Sequence, residues 1–247
     1  MRSVILAAGY ATRLYPLTVD KPKCLLTVGG RTILDSIADK IAGVPGMKDL
    51  TIVTNSRFYA QLSDWARSNS RRLPIRVLDD GTTSNDNRLG AIGDLGFAVR
   101  QAGITEDLLV LASDNLFEQG LADFCAAGAR HGGACVGVYD IRDRSLAAGK
   151  YGVLETDAQG IVLSMEEKPQ EPRSSLIGMG VYYYSGRILP MISDYLSEKN
   201  AQDAPGHFVR WLLGREKIRA FTFGGMWYDI GDLKALEEAN RCYQHRV

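Results

Sequence analysis

"SVILAAGYATRLYPLTVDKPK" (residues 3–23) begins as a short unbroken apolar run and then loses all regular period. Residues 3–8 read as a buried strand, because a strand covered on both faces shows no polar alternation. A turn of small residues follows, Gly9-Tyr10-Ala11-Thr12, and delivers Arg13; a stretch stiffened by Pro16 and Pro22 then ends on Lys23. Small residues let backbone N–H groups approach an anion closely, as a nest. Arg13 can fork onto two oxygens of a phosphate, and Lys23 adds a point charge from the far side of the loop. Two other phosphate motifs fail here. A Walker A loop needs Gly-Lys-Ser/Thr at a helix start, and the dinucleotide fingerprint G-x-G-x-x-G needs glycine where Ala11 and Leu14 stand.

Strand and helix patterns alternate downstream of this loop. Ile33, Ile37 and Ile41 recur at helical spacing before Gly43, and residues 50–55 read as a strand. Residues 58–69 place Phe58, Leu62, Trp65 and Ala66 on one helical face, and 74–78 form a third strand. Residues 89–103 read as a helix weakened by Gly93 and Gly96, and 107–113 as a fourth strand running into Asp114. The rhythm predicts a Rossmann-like three-layer α/β/α fold with a mostly parallel, mixed central sheet. Ligands of such sheets gather at the carboxyl ends of the strands. The opening loop, the polar segment 79–88 and Ser113-Asp114-Asn115 all fall at such ends. The second half changes character. Residues 151–169 read as two strands around a turn at 157–160, 178–186 as another strand, and 217–223 as a last one. Helices are expected over 187–198, 206–213 and 233–244. With no Pro-, Ser- or charge-rich linker, residues 1–247 read as a single domain in two halves, about 1–135 and about 136–247.

Lys plus Arg equals Asp plus Glu at 29 each, so the net charge is zero, which argues against a general nucleic-acid binder. The four cysteines (24, 125, 135, 242) form no C-x-x-C pair, and the three histidines complete no zinc spacing. Reduced thiols are the expectation. No apolar run approaches the roughly 20 residues of a membrane span, and no signal-peptide pattern precedes the first strand, so the expected place is the cytoplasm.

The opening loop resembles the signature of the sugar-1-phosphate nucleotidylyltransferases, G-x-G-T-R followed by P-K. Here it reads Gly9-Tyr10-Ala11-Thr12-Arg13 and then Pro22-Lys23. "ASDN" around Asp114, "YG" at Tyr151-Gly152, "EEKP" at 166–169 and "WYDIGD" at 227–232 follow in the family's order. Ala11 departs from the more usual glycine; small size is expected to suffice.

The resemblance implies transfer of a nucleotidyl group from a nucleoside triphosphate to a sugar 1-phosphate, with release of pyrophosphate. It makes the first half the nucleotide-binding half and the second the sugar-phosphate-binding half. Arg13 becomes the clamp on the β- and γ-phosphates, and Lys23 steadies the α-phosphate; with Asp114 they form the catalytic set. Asp114 and Asp229 are the implied Mg²⁺ ligands, each otherwise a helix cap or a salt-bridge partner. Ala8, Gly9, Ala11, Thr12 and Gly90 are implied on the nucleotide. Tyr151, Gly152, Glu167, Lys168 and Gly180 are implied on the sugar phosphate, the alternative for Glu167 and Lys168 being an ordinary exposed pair. Pro169 is expected to restrain Lys168, and Gly152 to let the backbone approach the sugar.

Glucose 1-phosphate with dTTP or UTP is the favoured pairing, although the chain lacks the P-x-G-x-A-x-A pattern of thymidylyl- and uridylyltransferases. The alternatives are cytidylyl or guanylyl transfer to another sugar phosphate or a small phosphate such as phosphocholine, and a non-catalytic module that binds nucleotide sugars. A nicotinamide-dependent oxidoreductase is disfavoured by the broken glycine fingerprint. Segment 79–88 is either a substrate-reading loop or a mobile surface loop. No nucleic-acid or membrane partner is expected, and the chain is expected to be a monomer or homodimer. Longer relatives carry C-terminal helices or a β-helix; ending soon after "WYDIGD" implies a bare catalytic domain.

Overall fold

Successive side chains of a strand point to opposite faces of its sheet, and here that alternation divides the strands between two cores. The structure is a computed structural model that describes residues 1–244. Its main sheet contains β1 (Arg2–Leu6), β4 (Leu50–Thr54), β5 (Ile75–Asp79), β6 (Leu108–Ala112), β8 (Ala134–Asp140), β9 (Gly152–Thr156), β10 (Val162–Glu167), β11 (Leu176–Tyr184) and β12 (Ile218–Thr222). The order is β10-β9-β11-β6-β1-β4-β5, with β8 between β11 and β12. Ile5, Ile52, Leu109, Leu111, Cys135, Val181 and Tyr183 face one core. Val4, Val53, Leu108, Val110, Val136, Tyr182 and Tyr184 face the other.

Helices cover both faces, as the three-layer expectation requires. On the first lie α1 (Ile33–Ala42), α2 (Tyr59–Asn69), α4 (Ala122–His131) and α7 (Leu233–Gln244); on the second lie α3 (Ala91–Ala102), α5 (Leu189–Ser197) and α6 (Pro205–Leu213). A capping box starts α1: Thr32 Oγ1 accepts from Asp35 N at 3.0 Å, and Asp35 Oδ2 accepts from Thr32 N at 3.2 Å. Its Ile33, Leu34, Ile37 and Ile41 are fully buried, worth roughly 1.5–3 kcal/mol apiece. Gly93 and Gly96 do not break α3, and their lack of a side chain has a packing reason. A methyl on Gly96 would stand 2.6 Å from Leu196 Cδ1, and one on Gly93 2.9 Å from Leu89 Cβ.

The two ends of the sheet are built differently. β5, β4, β1 and β6 run parallel. β11 pairs antiparallel with β6, β8 and β9, and β9 pairs antiparallel with β10. β11 shifts register between Gly178 and Tyr182, where Gly180 has φ +69°. Two small sheets complete the fold: β2 (Thr27–Val28) with β3 (Arg31–Thr32), and β7 (Asn115–Phe117) with β13 (Trp227–Asp229). Cys24, Cys125 and Cys135 are buried free thiols, and burial pushes each up to about 12. Among the described residues no helix is long and apolar enough to cross a membrane.

Candidate active site

The turn after β1 is tied from beneath by Asn55, just past the end of β4. Asn55 is fully buried; its Nδ2 donates to Ala8 O at 2.9 Å, and its Oδ1 accepts from Phe58 N at 3.2 Å. The Ala8 carbonyl is thus already engaged within the protein. Gly9 is exposed, and a methyl built on it would meet nothing within 4 Å, so the space over the turn is open. Ala11 has φ 47° and ψ 44°, in the left-handed region. The demand at position 11 is therefore conformational as well as steric, which corrects the expectation that small size suffices; it also explains why glycine suits this position. Ala11 O accepts from Leu14 N at 3.0 Å and from Thr18 Oγ1 at 2.8 Å, closing the loop. Thr12 and Arg13 lie exposed in a short 3₁₀ turn, and Arg13 has no ion-pair partner among the described residues.

The two aspartates meet through the smallest strands. β7 and β13 pair Asn115 with Asp229, and Ile230 N donates to Asp114 O at 3.0 Å. Lys23 Nζ forms an ion pair with Asp114 Oδ2 at 2.6 Å, while Asp114 Oδ1 accepts from Asn115 Nδ2 at 3.1 Å. Trp227 Nε1 in turn donates to Asn115 Oδ1 at 2.8 Å. Burial and then the Asp114 charge push the Asp229 carboxyl up to about 6, against the pull of Lys23 and Arg13. A methyl on Gly231 would stand 3.5 Å from Asp229 Oδ2 and 3.9 Å from Arg13 Nη2. Burial raises the Tyr151 phenol to about 12, helped by Asp229, Asp232 and Asp114 and opposed by Arg13. Arg13, Lys23, Asp114, Asp229 and Tyr151 thus lie close enough to act on one another's charges. Asp232 also caps α7, accepting from Ala235 N at 2.9 Å.

Glu167 ends β10 opposite Gly152 of β9. Burial raises its carboxyl, while Lys168 and His207 draw it down. Lys168 has φ +50°, so Pro169 does not hold it in the extended region as expected; its N–H donates to Tyr151 O at 3.1 Å. Lys168 is exposed and has no ion-pair partner among the described residues. Gly152 is buried, and a methyl there would overlap Met165 Cε and stand 3.0 Å from Glu167 Oε2. Its glycine leaves room for the ends of the Met165 and Glu167 side chains, a packing role beside the one expected. A methyl on Gly206, at the start of α6, would overlap Glu167 Oε2 and Met165 Cε. Gly180 lets β11 pass close under the aspartates: a methyl there would lie 2.9 Å from Ala112 Cβ and 3.1 Å from Asn115 Nδ2. The buried Tyr182 phenol senses both Glu167 and Asp114, so the two sides meet across it.

Gly90 caps α3 with φ +80°, and a methyl on it would stand 2.6 Å from Gln202 O. The requirement for glycine there is met inside the protein, by the backbone of Gln202. Sequence reading missed Asn55, Asn115, Tyr182 and Gly206. It also missed the aromatic group in which Trp227 lies 5.5 Å from Tyr139 and 5.4 Å from Tyr151, ring centre to ring centre. A cavity of about 420 Å³ lined by Asp35, Asp39, Trp65 and Arg72 lies at the opposite ends of β4 and β5 and holds none of these groups.

The sequence profile of the Nucleotidyl transferase family matches residues 2–246, and the chain belongs to that family. It is 24% identical over 249 residues to the bifunctional protein GlmU of Methanocaldococcus jannaschii, taking in 100% of this chain and 55% of that protein. It is 27% identical over 233 residues to a Sulfolobus acidocaldarius protein provisionally described as a mannose-1-phosphate guanyltransferase, covering 93% of this chain and 59% of the other. The chain therefore spans little more than half the length of these relatives. Among solved structures, a UDP-glucose pyrophosphorylase complexed with UDP-glucose shares the fold at a TM-score of 0.85 and 20% identity, over 100% of this chain and 99% of that one.

Proposed function

We propose that the chain transfers a nucleotidyl group from a nucleoside triphosphate to a sugar 1-phosphate, forming a nucleotide sugar and pyrophosphate. What supports this reading is the closeness of Arg13, Lys23, Asp114 and Asp229, with Glu167 and its neighbour Lys168 reached across the Tyr182 phenol. In-line attack of one phosphate on another gathers negative charge, so positioning and charge neutralisation supply most of the rate. Arg13, exposed and unpaired, is the clamp for the β- and γ-phosphates and the departing pyrophosphate. Lys23, fixed against Asp114, steadies the α-phosphate. Lys168 receives the sugar phosphate, and Glu167, its carboxyl fixed between Gly152 and Gly206, accepts from a sugar hydroxyl.

Two mutually repelling carboxylates suit a hard divalent cation, which takes few protein ligands and completes its shell with phosphates and water. Asp114 and Asp229 are the residues that would hold Mg²⁺; bound there, it would neutralise developing phosphate charge.

The first pairing to test is dTTP or UTP with glucose 1-phosphate, the UDP-glucose ligand of the fold relative supporting uracil. The guanyltransferase description of another relative supports GTP as the second arm. Pyrophosphate release from dTTP, UTP, CTP and GTP, each with glucose 1-phosphate, mannose 1-phosphate and phosphocholine, tests the reading. Release with at least one pair is expected; binding of nucleotide sugars without turnover under Mg²⁺ would make the chain a binding module.

A further inference from the structure

A buried acid, Asp94, and a half-buried one, Asp80, lie on either side of segment 81–90, and neither belongs to the charged cluster just described. Asp80 immediately follows β5, and Asp94 lies in the first turn of α3. Asp94 is only 6% exposed. Asp80 Oδ2 and Asp94 Oδ1 are both closed to solvent, and neither receives a hydrogen bond from any donor group. Both are acceptors when ionised, and two such buried oxygens in contact cannot both carry charge. One proton between them satisfies both, as O–H···O⁻.

The surrounding bonds say which acid keeps the proton. Asp80 Oδ1 accepts from Thr82 N and Thr82 Oγ1, both at 2.7 Å, as a carboxylate does. Asp94 has no such donors. Burial, then the Asp80 charge, then the bond between the two acids push it up to about 8. Asp94 is therefore the member of the pair that holds the proton. The bonds continue past Asp80: Thr82 O accepts from Ser56 N at 3.0 Å, and the Thr82 hydroxyl faces the phenol of Tyr10. Tyr10 is buried, between Gly9 and Ala11 of the phosphate turn. Polar groups therefore run from the start of α3, beneath segment 81–90, toward the turn that follows β1, where the buried Tyr10 hydroxyl lies beside Thr82 with no hydrogen bond of its own among the described residues.

We propose that Asp94 and Asp80 form a proton-sharing clamp that sets segment 81–90 and Tyr10 in the arrangement that receives the nucleoside triphosphate. They are positioning residues: neither oxygen reaches the charged cluster. The proposal rests on the nucleotide-side reading given above.

The other charged groups nearby leave the clamp to this one proton. Asp79 accepts from Ser56 Oγ and Gly81 N, and Arg57 acts on Tyr10. Of the elements packed on α3, β4 carries no titratable side chain, and Arg2 of β1 is engaged at the far end with Asp49 and Ala102 O. Asp194 of α5 and Arg210 of α6 are exposed, and His207 of α6 acts on Glu167.

The test compares the unaltered chain with Asp94→Asn and Asp94→Leu between pH 6 and 9.5. Asn keeps a donor toward Asp80 and cannot titrate. The KM for dTTP and for UTP is measured with Mg²⁺ and glucose 1-phosphate, alongside amide hydrogen exchange of residues 81–90 without substrate. In the unaltered chain the nucleotide KM should rise about tenfold from pH 7 to 9 with the sugar-phosphate KM unchanged, while Asp94→Asn stays flat. Above pH 8, exchange in 81–90 should be faster in the unaltered chain than in Asp94→Asn at the same pH, and below pH 7 equal. Asp94→Leu should show the raised KM and fast exchange at every pH; if it does not fold, the Asn comparison decides. Superimposable profiles for the unaltered chain and Asp94→Asn in both measurements overturn the clamp. If neither nucleotide is turned over, the activity reading fails while hydrogen exchange still decides the clamp.

Discussion

On the side of β1, β4, β5 and β6 every strand runs the same way, and the side chains proposed to function sit in the loops leaving their carboxyl ends: Arg13, Lys23, the 80–90 segment and Asp114. On the side of β9, β10 and β11 the strands alternate in direction, and the functional positions are strand residues or their immediate neighbours: Gly152, Glu167, Lys168 and Gly180. Loops need tethers, and here these are Asn55 under the first turn, Thr18 across it and Asp80 with Asp94 under the next. Strand residues need none, but they rely on close packing such as Gly206 against Glu167. Damage on the first side should therefore change kinetics with little loss of stability. Damage on the second should change both together.

The largest effect is expected at the meeting of charges. Asp114→Asn removes the proposed metal ligand and the partner of Lys23, and kcat should fall by about 10³-fold or more, with partial recovery at raised Mg²⁺. Full turnover in a steady-state assay would place the ion elsewhere. Arg13→Ala should lower kcat by about 10²–10³-fold while the KM for sugar phosphate moves less than about threefold; its melting temperature should hardly change. An unaltered kcat would remove Arg13 from the pyrophosphate.

The opposite side should respond differently. Gly206→Ala drives a methyl into Glu167 and Met165, costing about 1–3 kcal/mol in a denaturant titration and raising the KM for sugar phosphate but not for nucleotide. A clean kinetic effect with no loss of stability would erase the contrast between the halves. The smallest effect belongs to Ala11→Gly, which relieves a left-handed alanine and should add about 1 kcal/mol of stability with activity intact.

Much of the parallel side was legible because strands buried on both faces declare themselves as apolar runs, as 3–8 and 107–113 do. The closing helix was also legible, its bounds 233–244 matching α7. Helix α4 and strand β8 were not read at all: "AAGAR" gives α4 a weak apolar face, and the glycine pair 132–133 blurs the boundary between them. β7 and β13 are three residues each, too short to carry a local period, yet their pairing is what brings Asp229 to Asp114. The aspartates and cations could be named from motif order; their closeness could not. Nothing local in "DDGTTSNDNRLGAIGD" marks two of its acids as partners, since that depends on β5 and α3 converging. Glycine was the least reliable guide. Gly90 was implied on the nucleotide and Gly152 beneath the sugar, and each also clears space for the protein's own atoms, which no local pattern announced.

β11 bonds to β6 along one edge and to β8 along the other, and its first residues reach β9. A single strand is thus laced into the frameworks on both sides of the cleft, like a keel. A clam-shell hinge between them would have to tear that ladder. Adjustment to guests of different bulk must therefore come from the rim, while the floor beneath Asp114 and Glu167 keeps its shape.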